Sequence, residues 1–241
     1  MCLLNFSENT MLRLKQLMVI FCLLHASLVF ALPKSVQLEY DVARDGKLFA
    51  RVKESFTQNG KQYRIQSITK GVGIYALLGE RKLTSTGAVT KTGLKPTHFE
   101  LHQGKNDNKT LIVDFDWAKN TLSMQKKDEK QTEKLSAGTQ DLASYAYQFM
   151  FNPPLKDDIT VTMTTGKKLN VYQYKVLARS TNLNLAKTNY KTLQLSNEAA
   201  TGQDKRQLWL AQDQFYLPVR YQLTDEGGDS YEQTLTKIHV E

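Results

Sequence analysis

Leu208-Trp209-Leu210-Ala211, Phe215-Tyr216-Leu217-Pro218-Val219-Arg220-Tyr221-Gln222-Leu223 and Ser230-Tyr231-Glu232-Gln233-Thr234-Leu235-Thr236 decide the fold. Each run is short and rich in aromatic and branched residues, as strands are. The gaps between them, Gln212-Asp213-Gln214 and Asp225-Glu226-Gly227-Gly228-Asp229, carry turn residues. The reading is an antiparallel meander of three strands.

The same period-two alternation governs the chain before it. Val36, Leu38, Tyr40 and Val42 share one face of a first strand, and Arg44-Asp45-Gly46-Lys47 turns it into a second that runs to Phe56. Asn59-Gly60 is a hairpin turn, and Gln62 to Thr69 is a third strand. Gly71 to Gly79 reads as a single helical turn or an apolar plug loop. Extended structure resumes over Arg81 to Gly87, with Gly93-Leu94-Lys95-Pro96 as a turn or bulge. His98 to Gln103 and Lys109 to Trp117 are strands around the loop Lys105-Asn106-Asp107-Asn108. Thr121 to Gln125 is another, and Lys126 to Lys134 is a charged hairpin tip. One helix of about three turns is expected, capped by Thr139 or Asp141. Leu142, Tyr145, Ala146 and Phe149 form its apolar stripe, and Pro153-Pro154 ends it. Strands follow at Ile159 to Thr164, Leu169 to Leu177 and Tyr190 to Leu195, with a loop rich in Asn and Thr up to about Asn189. The fold class is therefore all-β: about twelve strands in a large curled antiparallel sheet or open β-barrel, with one short helix packed on it. Curling limits the exposed edges of so many strands.

Residues 1–31 read as a signal peptide. Arg13 and Lys15 precede an apolar run from Leu17 to Leu24, and Val29-Phe30-Ala31 fits a cleavage site. The run is shorter than the roughly 20 apolar residues of a membrane span, so no transmembrane segment is expected after cleavage. Polar residues before Arg13 point to Met11 as the translation start. The 241 residues less those 31 leave 210, which suits a single β domain over 32–241. Cys2 and Cys22, the only cysteines, fall in the leader, so the remaining chain has no disulfide or thiolate chemistry. The net charge of +8 becomes +7 once Arg13, Lys15 and Glu8 are removed. In an exported protein such a balance suits anionic envelope polymers and lipids rather than nucleic acid.

The ordered set of phrases resembles one family. It runs from Tyr40 and the Gly46 turn through Tyr63-Arg64-Ile65, Gly71 to Leu78, Ser85-Thr86-Gly87, Gly93-Leu94-Lys95-Pro96, Phe99 and Phe115-Asp116-Trp117. It continues with Gly138-Thr139-Gln140-Asp141-Leu142-Ala143-Ser144, Lys191 to Leu195, Leu208 to Ala211, Tyr216-Leu217-Pro218-Val219 and Gln233-Thr234-Leu235. In these the chain is similar to the exported bacterial proteins grouped as domain of unknown function 3108. The resemblance implies a periplasmic β protein of a Gram-negative bacterium and implies no reaction or ligand.

Enzymatic signatures are weak. Gly71-Val72-Gly73-Ile74-Tyr75-Ala76 matches a dinucleotide pattern, but Gly79 ends any helix after it and Lys91 to Lys95 stand where the ribose-binding acid belongs. No cofactor is expected. His98 and Glu100 share a strand face and are the only metal candidates, and a polar outer face explains them as well. Asp114 and Asp116 also share a face, but residues side by side on one strand do not straddle a glycoside. Ser144 has no local histidine partner. The aromatic residues Tyr75, Tyr145, Phe149, Trp209, Phe215, Tyr216 and Tyr221 can line a cavity for a lipid or other amphiphile, with Lys167, Lys168, Lys205 and Arg206 near an anionic head group. The expectation is a non-enzymatic periplasmic protein that binds an apolar or amphiphilic ligand or supports the envelope. The alternative is an interaction module docking an envelope protein, and a wall-polymer hydrolase stands third.

Overall fold

The computed structural model describes residues 32–104, 109–154, 158–197 and 204–241. The expected leader over 1–31 and the loop at 105–108 lie outside these. Leu32–Glu241 forms one compact unit, built on fifteen strands. They are β1 Ser35–Arg44, β2 Lys47–Asn59, β3 Gln62–Gly71, β4 Glu80–Thr90, β5 Gly93–Gln103, β6 Leu111–Asp116, β7 Thr121–Lys126 and β8 Glu129–Lys134. Then come β9 Gln140–Asp141, β10 Asp158–Thr164, β11 Leu169–Leu185, β12 Thr188–Asn197, β13 Lys205–Ala211, β14 Leu217–Thr224 and β15 Ser230–Val240. All belong to one sheet ordered β8-β7-β6-β5-β4-β3-β2-β1-β15-β14-β13-β12-β11-β10-β9.

This order has a simple logic. The first and last strands pair at the centre, with Val36 opposite Val240 and Arg44 opposite Tyr231. From there two meanders run outward, one in each direction along the chain. Every pairing is antiparallel except β9 with β10. Among the described residues β8 and β9, the two edges, do not pair, so the sheet is open and is not a closed barrel. The chain passes from one edge to the other between β8 and β9, and the connection from β9 to its neighbour β10 carries the short helix.

Alternation puts one residue in two inside. Val36, Leu38 and Tyr40 of β1, Phe56 of β2, Ile65 of β3, Phe99 of β5 and Leu122 of β7 are buried in the main core, and Leu235 of β15 joins them. The Tyr40 hydroxyl donates to the Pro218 carbonyl at 2.7 Å, so even the tyrosine in this core keeps a polar partner. A second cluster gathers Met163, Tyr174, Leu195 and Leu208 under Tyr145 and Phe149.

The sheet departs from the expected one at identifiable places. The charged hairpin tip closes with a further strand, β8, whose six residues are all exposed. Its charges suit an edge, since they discourage pairing with another chain. The loop expected after Leu177 is instead a continuation of β11, and its hairpin turns at Ala186 and Lys187, both in the left-handed region. Phe215 and Tyr216, expected to open a strand, also have positive φ. They complete the turn after β13, closed by the Tyr216 amide donating to the Ala211 carbonyl at 2.8 Å. Gly93 to Pro96 lies inside β5, and the bulge falls opposite, between Thr86 and Gly87. A Cβ on Gly87 would sit 2.2 Å from the Lys95 carbonyl oxygen, so only glycine admits that approach.

The three-turn helix is not formed. Only Gln148–Phe151, here α1, is helical, and the residues from Leu142 to Tyr147 make successive turns. The segment buries Ala143, Tyr145, Tyr147 and Phe149 rather than one helical stripe. Packing on several sides overrides the periodicity, and a short helix has little intrinsic stability to resist it. Gly73–Leu78, the uncertain apolar stretch, is a 3-10 helix with Ile74, Leu77 and Leu78 exposed.

Candidate functional site

Seven strands that are neighbours in the sheet, from β4 through β1 to β13, contribute side chains to one cavity of about 460 Å³. A sheet can line one cavity with so many consecutive strands only by curling around it. The segment Leu142 to Tyr147, between β9 and α1, roofs the space, with Tyr145 and Tyr147 turned into it. Phe56 stacks on Tyr147 with ring centroids 5.8 Å apart, which ties the roof to the sheet.

The roof is held by a buried polar network. Asp141 is fully buried, and its Oδ1 accepts the amides of Ala143 at 2.9 Å and Ser144 at 2.8 Å. This is the capping role expected of Asp141, exercised on a turn. Its Oδ2 accepts the Ser85 hydroxyl at 2.5 Å, and Tyr63 lies 3.0 Å from Ser85. The Asp141 amide in turn donates to the Ser144 hydroxyl at 3.0 Å. Burial pushes the Asp141 carboxyl up to about 6, against the hydrogen bonds that favour its charged form. Gln148 of α1 adds a second anchor: its Oε1 accepts the Leu94 amide at 2.7 Å and its amide donates to the Thr92 carbonyl at 2.8 Å.

Charged groups converge inside the cavity. Glu54 occupies an inward position on β2 between Val52 and Phe56. It accepts from the Ser67 hydroxyl at 3.1 Å and the Tyr147 hydroxyl at 3.3 Å, and Gln233 is a third partner. Burial raises its pKa above the ordinary carboxylate value despite these bonds. Arg206, on β13, is buried and paired through its two terminal nitrogens, while its Nε is without a hydrogen-bond partner. It donates to the Tyr221 hydroxyl at 2.8 Å and to Asp204 at 2.9 Å, and its guanidinium lies over the Tyr172 ring at 5.2 Å. Arg81, at the start of β4, differs. Among the described residues it makes no hydrogen bond or ion pair, and burial lowers its pKa while the Tyr221 hydroxyl opposes that shift.

The sequence candidates separate on the structure. Tyr145, Tyr221 and Arg206 line the cavity. Phe149 is buried beside it and faces a more polar groove of about 880 Å³, where Gln148 and Asn152 also point. Tyr75 packs on Phe49 outside the cavity, with centroids 4.6 Å apart. Trp209 lies under the Arg220 guanidinium at 4.9 Å, and Phe215 packs against the main core. Tyr216 packs against the second cluster. Lys167, Lys168 and Lys205 are exposed and do not line the cavity. Glu54 and Arg81 were not anticipated, although each interrupts an apolar face in the strand alternation.

His98 and Glu100 form part of a hydrogen-bonded ladder on the outer face. His98 Nδ1 lies 2.7 Å from Asp114 and its Nε2 lies 2.9 Å from Glu100, whose other oxygen is 3.1 Å from His102. Both ring nitrogens of His98 face carboxylates, so both must donate, which requires imidazolium. Its pKa accordingly rises: burial pulls it down, but the bonds to Glu100 and Asp114 outweigh that. Among the described residues no group of three or more His, Cys, Asp or Glu is arranged to hold a metal ion. Asp116 caps the following turn by accepting the Lys119 amide at 2.9 Å.

The fold and cavity together define an open-sheet β protein with one roofed, largely apolar chamber holding a few polar groups. The chain belongs to the family described as "Protein of unknown function (DUF3108)", whose model matches residues 37–236. No curated protein matches it. Among the described residues no helix is long and apolar enough to cross a membrane.

Proposed function

We propose that the protein is a non-enzymatic periplasmic binding protein whose roofed cavity holds one apolar or amphiphilic molecule. The observation that carries this reading is the chamber of about 460 Å³ between the curled sheet and Leu142 to Tyr147. Sites for small molecules are mostly apolar, with a few placed polar groups, and fall in the range of roughly 300–1,000 Å³. This one lies in the lower part of that range, which favours a single-chain over a diacyl ligand. Its one carboxylate, Glu54, is taken up by the Ser67 and Tyr147 hydroxyls. Periplasmic residence rests on the leader-like pattern of residues 1–31.

The test is native mass spectrometry of the protein purified from periplasm, before and after organic extraction. A reproducible adduct of lipid-like mass, lost on extraction, is the expected result. A bare chain in both spectra, with no uptake of added amphiphile, sinks the reading.

A second reading has its own support. Ile74, Leu77 and Leu78 are 77, 90 and 66% exposed on the 3-10 helix, as an envelope-protein docking point would be. Crosslinking in the envelope from position 77 to a single reproducible protein, abolished by Leu77→Asp, would favour it.

A further inference from the structure

The cavity wall carries two guanidinium groups and gives a carboxylate to one of them. Arg206 is neutralised by Asp204 and donates to Tyr221. Arg81 lies within electrostatic reach of the same Tyr221 hydroxyl from the other side of the curl, and it has no acid of its own among the described residues. The Arg81 side chain is half-buried, and its unpartnered nitrogens stay open to the cavity. The strand alternation dictates this placement: Arg81 shares its face with Leu83 and Ser85, which are both buried. The neighbouring exposed positions take the solvated charges, as in the Lys70–Glu80 pair at 2.6 Å.

Glu54 does not fill the role of partner. In the register, Arg81 stands opposite Thr69, which stands opposite Val52. Glu54 is therefore two strands and two residues away, roughly 12 Å between Cα atoms from strand spacing and rise. Its oxygens are already occupied by Ser67, Tyr147 and Gln233. The region around Tyr221 is left with an excess of positive charge beside an apolar wall.

We propose that Arg81 is the head-group anchor of this cavity, taking the carboxylate or phosphate of a single-chain amphiphile whose tail lies against Leu83, Leu142, Tyr145 and Leu208. A guanidinium presents a planar fork of donors that matches either oxyanion with two parallel bonds. The ligand's charge supplies the missing partner, and its tail fills the apolar remainder of the chamber. Glu54, two strands away in the same wall, disfavours placing the head group there, since an anion would face a carboxylate. The inference rests on the cavity being a ligand site, and it names the chemistry of what enters.

The experiment is equilibrium dialysis of the purified protein with radiolabelled dodecanoate, dodecyl phosphate and 1-dodecanol. The wild type should bind at least one of the two anions tenfold or more tightly than the alcohol, and which anion is preferred separates a fatty acid from a phosphate-headed source. Arg81→Gln should bring the anions down to the affinity of the alcohol, and Arg81→Lys should keep most of the preference. Unchanged alcohol binding by Arg81→Gln verifies that the variant is folded. Anion affinity within twofold of wild type in Arg81→Gln, or an alcohol bound as tightly as the anions by wild type, overturns the proposal. In either case, loss of alcohol binding in Ala146→Trp, which fills the chamber, leaves the cavity reading standing. Failure of all three probes to bind the wild type overturns both.

Discussion

Glu54 and Glu100 lie on opposite faces of the same sheet and have opposite chemistry. Each accepts hydrogen bonds from side chains: Glu54 from Ser67, Tyr147 and Gln233, Glu100 from His98 and His102. Yet Glu54 is pushed up by burial, whereas Glu100 is held below the ordinary carboxylate value by its two histidines. Partners alone do not set the sign; the solvent left around the pair does. The outer ladder of Asp114, His98, Glu100 and His102 neutralises itself in water. The inner groups Glu54 and Asp141 are buried at a cost in solvation, and Arg81 faces the chamber half-buried. Such groups persist where they hold a structure together or meet a ligand. Asp141 does the first, and Arg81 is assigned the second.

The largest expected effect is at Asp141. Asp141→Ala strands the buried Ala143 amide and takes one of two partners from the Ser85 hydroxyl and the Ser144 amide, which keep Tyr63 and the Asp141 carbonyl. An unsatisfied buried donor costs about 1–3 kcal/mol, so the loss should lie in that range or above by urea unfolding at pH 7. A loss below about 1 kcal/mol would mean that the roof is not held by this network. Asp141→Asn keeps an acceptor and removes the charge. The Asp141 carboxyl stands at about 6 in the folded protein against an ordinary value of 3.8. Its contribution is therefore complete below about 4 and is lost as pH rises through about 6. Stability of the wild type should fall over that window by no more than about 3 kcal/mol from this group, and Asp141→Asn should flatten the profile. Parallel profiles for the two proteins would place the carboxylate in a wetter site than the structure gives it.

Much of the sheet is legible in sequence because a half-buried strand writes its inner face at every second residue. Val36, Leu38 and Tyr40 declare β1 in this way, and Asp45-Gly46, both at positive φ, fixes its hairpin by backbone chemistry alone. The last third of the chain carries the same signal, and the meander from Leu208 onward is as read, apart from the turn at Phe215 and Tyr216. That turn needs two bulky residues at positive φ, which no local preference foretells. The extension of β11 past Leu177 is also hidden, because its pairing to β12 is only partly buried and leaves a weak pattern. The failed helix shows a third kind of limit. Tyr145 and Phe149 fit a helical stripe, but Tyr147 between them is also buried, and only the curled sheet supplies walls for all three. The cavity follows the same division. Tyr145, Tyr221 and Arg206 could be suspected from composition, whereas Glu54 and Arg81 become visible once the phase of each strand is tracked. A charge in the apolar phase is the signal, and long-range curvature decides what it faces.

Glu54 and His98 sharpen the inside–outside contrast at smaller amplitude. Glu54→Gln removes a charge that burial disfavours while keeping an acceptor for Ser67 and Tyr147. A raised folded value means that the stabilising contribution is present below the ordinary glutamate pKa and lost as pH rises through the raised one. The variant should therefore melt higher than wild type at pH 7.5, with the gap closing at pH 4. A lower melting temperature at pH 7.5 would show that the ionised group is needed where it stands.

His98→Ala is the outer counterpart and should cost less than about 1 kcal/mol, because exposed pairs are screened by water and salt. Its pH dependence runs in the same direction for a different reason. The raised imidazolium contributes below the ordinary histidine value, and that contribution fades as pH rises through the raised one. The difference between His98→Ala and wild type should thus be larger at pH 5.5 than at pH 8.5, and should shrink in 1 M salt, where the screening length is about 3 Å. The Glu54→Gln difference should resist salt, since no electrolyte enters the chamber wall. Equal salt sensitivity of the two would erase the distinction, because it would put both carboxylates in the same solvent.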